Sequence, residues 1–254
     1  MSKKTVKKVS ENENFIDKNS RVYKAERIIT LIFRIFMIAG IAGEIYFQAW
    51  LNVFVAGLTL FVSFVPNIIH RKAKLYFPPE IQIAIVVFLF AAMFLGELQN
   101  YYYRFWWWDT LLHLLAGIIF GLVGFFLMYA MNSDQRFKVT MSPFFVALFA
   151  FCFSLMIGVM WEIFEFFMDQ TFGMNMQKGN IELNMKMGLT HLTSGVQDTM
   201  WDFIADSIGA FIAAVIGYNY MKKKKDSLLI RIVLKTFDSN KDLFHKKKNK
   251  EGGK

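Results

Sequence analysis

The sequence predicts an all-α integral membrane protein of about six transmembrane helices, with both termini in the cytoplasm. Three observations carry this expectation. Of 254 residues, 55% are hydrophobic and 17% aromatic, which excludes a disordered or disulfide-built chain. Six apolar windows approach the roughly 20 residues that a helix needs to cross a hydrocarbon core of about 30 Å. Lysine and arginine gather in alternate loops, as they do where those loops stay in the cytoplasm.

The windows cover residues 28–45, 49–69, 81–98, 110–131, 143–168 and 199–220. The first lies too deep in the chain and lacks a small-residue cleavage site, so it is expected to be a retained span and not a signal peptide. Arg34 falls about two turns inside it, where the guanidinium is expected to snorkel back to the inner interface. The second and third windows flank Arg71, Lys72 and Lys74, and the fourth and fifth flank Arg136 and Lys138, which keeps both loops inside. The fourth window follows YYYRFWWW, residues 101–108, an aromatic belt that fixes its start at the outer interface; stacking on a sugar or base is the alternative for those rings. The fifth and sixth windows are joined by a long loop, residues 169–197, containing Met174, Met176, Met185, Met187 and His191. It reads as a lid over a pocket, with ordinary apolar packing or a soft Cu(I) site as alternatives.

The chain therefore divides into a basic tail at 1–27, a six-helix domain at 28–220 and a second basic tail at 221–254. Within the latter, SLLIRIVLKTF is too short to span and reads as a helix lying on the inner leaflet. The net charge of +9 comes from the tails, which hold 8 basic with 4 acidic and 12 basic with 4 acidic side chains, whereas the domain between them is net acidic. Lysines flanking spans are explained by attraction to anionic lipid at about 1 kcal/mol each. Membrane lipids are the expected partners, and nucleic acid is not. A single cysteine, Cys152, forms no internal disulfide and says nothing about redox compartment.

The acids of the domain are sorted by topology. Glu80 and Asp134 fall on the cytoplasmic side, whereas Glu44, Glu97, Asp109, Glu162, Glu165, Asp169, Glu182, Asp198, Asp202 and Asp206 fall in outer loops or outer ends of spans. At about 100° per residue, Asp109 and His113 share one helix face. Glu162, Glu165 and Asp169 share another, with Gly158. Asp198, Asp202 and Asp206 share a third, which continues as Ala205, Gly209, Ala213 and Gly217. Gly117, Gly121 and Gly124 form a similar stripe beyond His113. Small residues four apart mark close helix contacts in membranes, so these acids are expected to face protein. Three helices then converge on one polar pocket in the outer leaflet.

So many carboxylates cannot all ionise together unless protons or a metal neutralise them. Oxygen ligands with one imidazole suit a divalent ion such as Mg²⁺, Mn²⁺ or Ca²⁺, and Zn²⁺ if fewer acids bind. The expected metal ligands are Asp109, His113, Glu162, Asp202 and Asp206, and Glu165 is the expected proton-transfer group. A lipid-linked substrate would be within reach of such a pocket. Passage of a small ion or proton is an alternative, although no inverted repeats are visible. A scaffold whose protonated acids serve as interhelical glue is a third. Asp198 has an ordinary explanation as an N-cap. Reaction, metal and oligomeric state stay open at this level.

DTLLH with Gly117, then WEIFE, then DTMWDFIADSIGA, resemble the YjdF-like bacterial inner-membrane proteins, a family without an assigned function. They are more distantly similar to the VanZ-like membrane proteins associated with glycopeptide resistance. The resemblance covers roughly residues 105–217 and implies a multi-pass plasma-membrane protein with an outward polar cluster. Glu165 stands where the VanZ-like pattern more often has glutamine, Asp206 where asparagine is usual, and the first two spans have no counterpart there.

Overall fold

A computed structural model describes residues 21–73, 77–133, 141–188, 194–223 and 227–240. Lys74, Asp134, Arg136, Lys138 and His191, together with residues 1–20, 224–226 and 241–254 of the tails, lie outside the described residues.

Among the described residues every regular element is helical. In chain order they are α1 (Arg21–Tyr46), α2 (Trp50–Val62), α3 (Val65–Ala73), α4 (Pro79–Leu89) continuing as a π-helix over Phe90–Leu98, a single turn α5 (Tyr101–Arg104), α6 (Trp108–Ser133), α7 (Pro143–Phe172), α8 (Ile181–Lys186), α9 (Gly195–Lys223) and α10 (Leu228–Ser239). Six stretches are long and apolar enough to cross a membrane: Arg21–Tyr46, Trp50–Lys72, Pro79–Leu98, Trp108–Asn132, Pro143–Phe172 and Gly195–Lys223. Each covers one of the windows read from sequence to within one residue. Arg21, Lys24 and Arg27 lie on the helix that carries the first stretch.

The helices form two packed groups. In one, α1, α2 and α4 close around Phe33, Met37, Ala56 and Val86. In the other, α6, α7 and α9 pack on each other along their lengths. Their seam is built from missing side chains. A Cβ on Gly117 would meet the backbone of Asp206 and Ala210, and one on Gly209 would meet the backbone of Leu114 and Ile118. Backbone therefore lies on backbone where α6 crosses α9, and Ser154 on α7 adds a 2.8 Å hydrogen bond from its hydroxyl to the Gly117 carbonyl. Without a hydrophobic drive between helices in lipid, such close dispersion contact and interhelical hydrogen bonding hold them together.

Arg34 does not reach back along its own helix. Its Nη2 donates to the Ser63 carbonyl at 3.0 Å, its Nε meets Ser63 Oγ at 3.2 Å, and the guanidinium lies 3.8 Å from the Phe64 ring centroid. Ser63 and Phe64 are the break between α2 and α3, where a carbonyl has lost its helical partner. The arginine supplies the donor that lipid cannot.

The helix expected in SLLIRIVLKTF is present as α10, capped by the Ser227 hydroxyl, which accepts from Ile230 N. Its apolar face turns to protein: Ile230 and Val233 join Phe125, Met128, Val146 and Ala150 in one core. Lys235 pairs with Glu80 of α4 at 2.6 Å, which links α10 to the other group. Ile230 is 0% exposed, so Ile230→Val should cost about 1 kcal/mol through the small void it leaves. A thermal melt in detergent identical to the parent's would show that α10 does not pack on the bundle.

Candidate metal centre

The centre lies at the end of the bundle where α6 begins, α7 ends and α9 begins. His113, one turn into α6, is 7% exposed and is surrounded by carboxylates from all three helices. Its Nε2 is 3.7 Å from Asp109 Oδ1, 3.9 Å from Glu162 Oε1 and 4.0 Å from Asp202 Oδ1. Its Nδ1 faces the other way, 3.3 Å from Asp206 Oδ2. One donor atom each from Asp109, His113 and Asp202 lie within 4.8 Å of one another.

Local sequence sets this arrangement. The i, i+4 spacing stacks Asp109 above His113 on one face of α6, and the Gly117–Gly209 contact brings α9 close enough for Asp202 and Asp206 to arrive on either side of the ring. Gly158 on α7 leaves the space that the Asp206 carboxylate fills; a Cβ there would collide with Oδ2.

The oxygens are unequally satisfied. Thr199 Oγ1 donates to Glu162 Oε2 at 2.7 Å and itself accepts from Gln177 Nε2 at 2.9 Å. Glu162 Oε1 and Asp202 Oδ2, by contrast, are buried with no hydrogen-bond partner, and so is Asp198 Oδ2. Glu162 and Asp202 are only 4% and 2% exposed. A buried carboxylate oxygen left unpaired carries a desolvation cost that a proton or cation must offset. Glu165, also buried, accepts from Trp161 Nε1 at 2.9 Å and stands outside the shell around His113.

Residues 25–223 match the family described as "Predicted membrane protein (DUF2238)", over three quarters of the chain. The chain belongs to this family. It is also 25% identical over 203 residues to an "Uncharacterized protein" of Thermotoga maritima, covering 80% of this chain and 90% of that one. No solved structure matches it.

In this DUF2238 protein, the three helix faces read from sequence do meet, and Asp109, His113, Glu162, Asp202 and Asp206 form one group. Asp206, expected beside the other ligands, meets the opposite ring nitrogen. Asp169 serves the loop: its two oxygens accept from Met176 N at 2.7 Å and Gln177 N at 3.0 Å. Glu44 accepts from Asn52 Nδ2 in the α1–α2 hairpin, and Glu182 is exposed on α8. The loop buries Met176 and exposes Met185 and Met187. The aromatic run caps this end, with Trp106 and Trp107 exposed and Trp108 Nε1 donating to Ala91 O at 3.2 Å in the π-helical stretch.

Two groups escaped the sequence reading. Thr199 orients Glu162, and its signal was the i, i+3 spacing to Asp202. Lys178 is the larger omission: it is 5% exposed, and its ammonium lies 4.6 Å from the Tyr102 ring centroid and donates to Met176 O at 2.8 Å. Burial alone would lower its pKa, but Asp109, Glu97, Glu165 and Asp198 more than reverse that, and the net direction is upward. A lysine raised in this way stabilises the fold fully below the ordinary lysine value of 10.5 and loses that contribution only as pH rises through its folded value. Its charge is therefore constant across neutral pH. The Tyr102 phenol beside it is pushed well above its usual value by burial first and then by Asp109 and Glu97, so it stays neutral. Lys178 was one of three basic residues among ten acids at this end, which was the available clue.

Proposed function

We propose that this protein is a multi-pass plasma-membrane protein whose outward-facing pocket holds one divalent cation and serves chemistry on an envelope lipid or glycan precursor. The observation that carries the reading is the pair of unpartnered buried oxygens on Glu162 and Asp202 beside His113 Nε2. The donor atoms of Asp109, His113 and Asp202 lie within 4.8 Å of one another, and Glu162 Oε1 lies 3.9 Å from Nε2, against an edge of about 3.4 Å for a tetrahedral site with bonds near 2.1 Å. Asp109, His113, Glu162 and Asp202 would hold the ion. Asp206 on Nδ1 would fix the ring orientation, as carboxylates behind metal-bound histidines do. A divalent ion so held would supply Lewis acidity, and Glu165, which accepts a hydrogen bond from Trp161, would be the proton-transfer group.

The alternation of basic loops supports the outward orientation, and the likeness to the YjdF-like pattern, and more distantly the VanZ-like one, supports an envelope role. Conduction is less well supported. Beyond Asp206, α9 continues as Gly209, Ala213 and Gly217, which close on Gly117, Gly121 and Phe125.

Elemental analysis of the purified protein in mild detergent tests this. One divalent ion per chain is expected, lost in Asp202→Asn and in Glu162→Gln with the melting temperature largely kept. Protein that carries no ion and merely unfolds on these substitutions would instead be a scaffold.

A further inference from the structure

We infer that Gln177 is a positioning residue for the cation site: acting through Thr199, it holds Glu162 with one carboxylate oxygen bare, so that the turn after α7 and the filling of the site favour each other. This rests on the reading of the pocket as a cation site.

The turn is fastened to the helix that carries Glu162. Asp169 lies seven residues after Glu162, about two turns along α7 on the same face, and its oxygens accept from Met176 N at 2.7 Å and Gln177 N at 3.0 Å. Gly173 reverses the chain with φ +64, a conformation that favours glycine. Two asparagines lock the far side. Asn184, 0% exposed, accepts from Asn175 Nδ2 at 2.7 Å and donates to the Lys178 carbonyl, and Asn175 Oδ1 accepts from Asn180 N at 2.8 Å. Gln177 is thus carried to the first turn of α9, where a Cβ on Gly195 would stand 3.6 Å from that of the glutamine.

From there a chain of hydrogen bonds returns to the site. Gln177 Nε2 donates to Thr199 Oγ1 at 2.9 Å, and Thr199 Oγ1 donates to Glu162 Oε2 at 2.7 Å. The circuit closes on α7, running from Glu162 through Thr199 and Gln177 to Asp169. A threonine inside a helix can give its single hydroxyl proton to the carbonyl four residues back. This one gives it to Glu162 while the Gln177 amide occupies a lone pair, and each bond polarises the next. The consequence falls on the other oxygen. With Oε2 engaged, Glu162 presents Oε1, buried and unpartnered, 3.9 Å from His113 Nε2. A carboxylate held in this way offers a cation one fixed oxygen, which is the service that groups behind metal ligands perform. Because the turn and the ligand share one network, whatever affinity the closed turn adds to the cation, the cation returns to the closed turn.

The test titrates Mn²⁺ into the full-length protein in detergent, read by electron paramagnetic resonance, and follows hydrogen exchange of residues 174–178 by mass spectrometry. Thr199→Val should weaken Mn²⁺ binding by roughly 10–100-fold and Gln177→Leu by about tenfold, the range for groups that orient metal ligands, whereas Thr199→Ser should bind as the wild type does. The double variant Gln177→Leu/Thr199→Val should be no weaker than Thr199→Val, since the glutamine acts through the threonine. Mn²⁺ should slow exchange of residues 174–178 in the wild type and not in Thr199→Val. Wild-type affinity in either single variant, losses that add in the double variant, or wild-type exchange that ignores the ion overturns the inference. A wild type that binds no Mn²⁺ removes the cation reading, and the hold of Gln177 on Glu162 is then decided in chelator. There Glu162→Met should speed exchange of residues 174–178 and Glu162→Gln, which keeps an acceptor for Thr199, should not; equal exchange in both overturns the link.

Discussion

Gly209→Leu should abolish the folded protein. The first added carbon already runs into the Leu114 carbonyl and the Ile118 amide, both backbone groups of α6 that cannot swing aside. Relief requires α6 and α9 to separate, and their close approach is the main attraction available between helices in lipid. The cost should exceed about 4 kcal/mol, beyond the range of ordinary substitutions and comparable with the whole stability of many domains. Size-exclusion chromatography in mild detergent should show aggregate in place of a monodisperse peak. Gly57→Leu is the control, because a Cβ there meets nothing within 4 Å. A monodisperse Gly209→Leu protein would contradict the seam described for this crossing.

His113→Ala should have the second largest effect. The imidazole is the group that four carboxylates from three helices share, at 3.3 to 4.0 Å. Removing one partner from a buried charged set typically costs about 3–5 kcal/mol, because the others are left desolvated without compensation. A large fall in melting temperature is expected, together with loss of the bound ion. His113→Gln keeps an N–H for Asp206 but offers no Nε2, and it should recover much of the stability and none of the ion. Equal stability of all three proteins would mean that the acids do not depend on the ring.

Much of this is legible in the sequence. Helical period and span direction together placed Asp109, Glu162 and Asp202 on inward faces at one end, because a helix turns a sequence interval into an angle and a height. The small-residue stripes on α6 and α9 were legible for the same reason. Loops carry no such period. Nothing in GMNMQKGNIELNMKMG marks Lys178 as buried, since its placement depends on Asn184 and Asp169 closing a turn whose hydrogen bonds are set only in three dimensions. Partner choice was equally hidden. Amphipathicity showed that α10 and Arg34 needed a particular surface, but an apolar face looks the same whether lipid or Phe125 covers it, and a guanidinium can be satisfied by water or by Ser63 O. The angular argument put Asp206 beside His113 without revealing which ring nitrogen it would meet.

The uneven exposure around His113 bears on how the pocket communicates with its surroundings. The Asp109 side chain is 21% exposed, whereas those of Glu162, Asp202 and Asp206 are 3 to 4% exposed. Asp109 is thus the threshold, and it stands on the first turn of α6, two residues after the exposed Trp107. Tryptophans of this kind settle among lipid headgroups. For the cation site proposed above, traffic to the threshold would therefore come through the phosphate-rich layer, and the ion content of the surrounding leaflet would govern occupancy more directly than that of bulk solution.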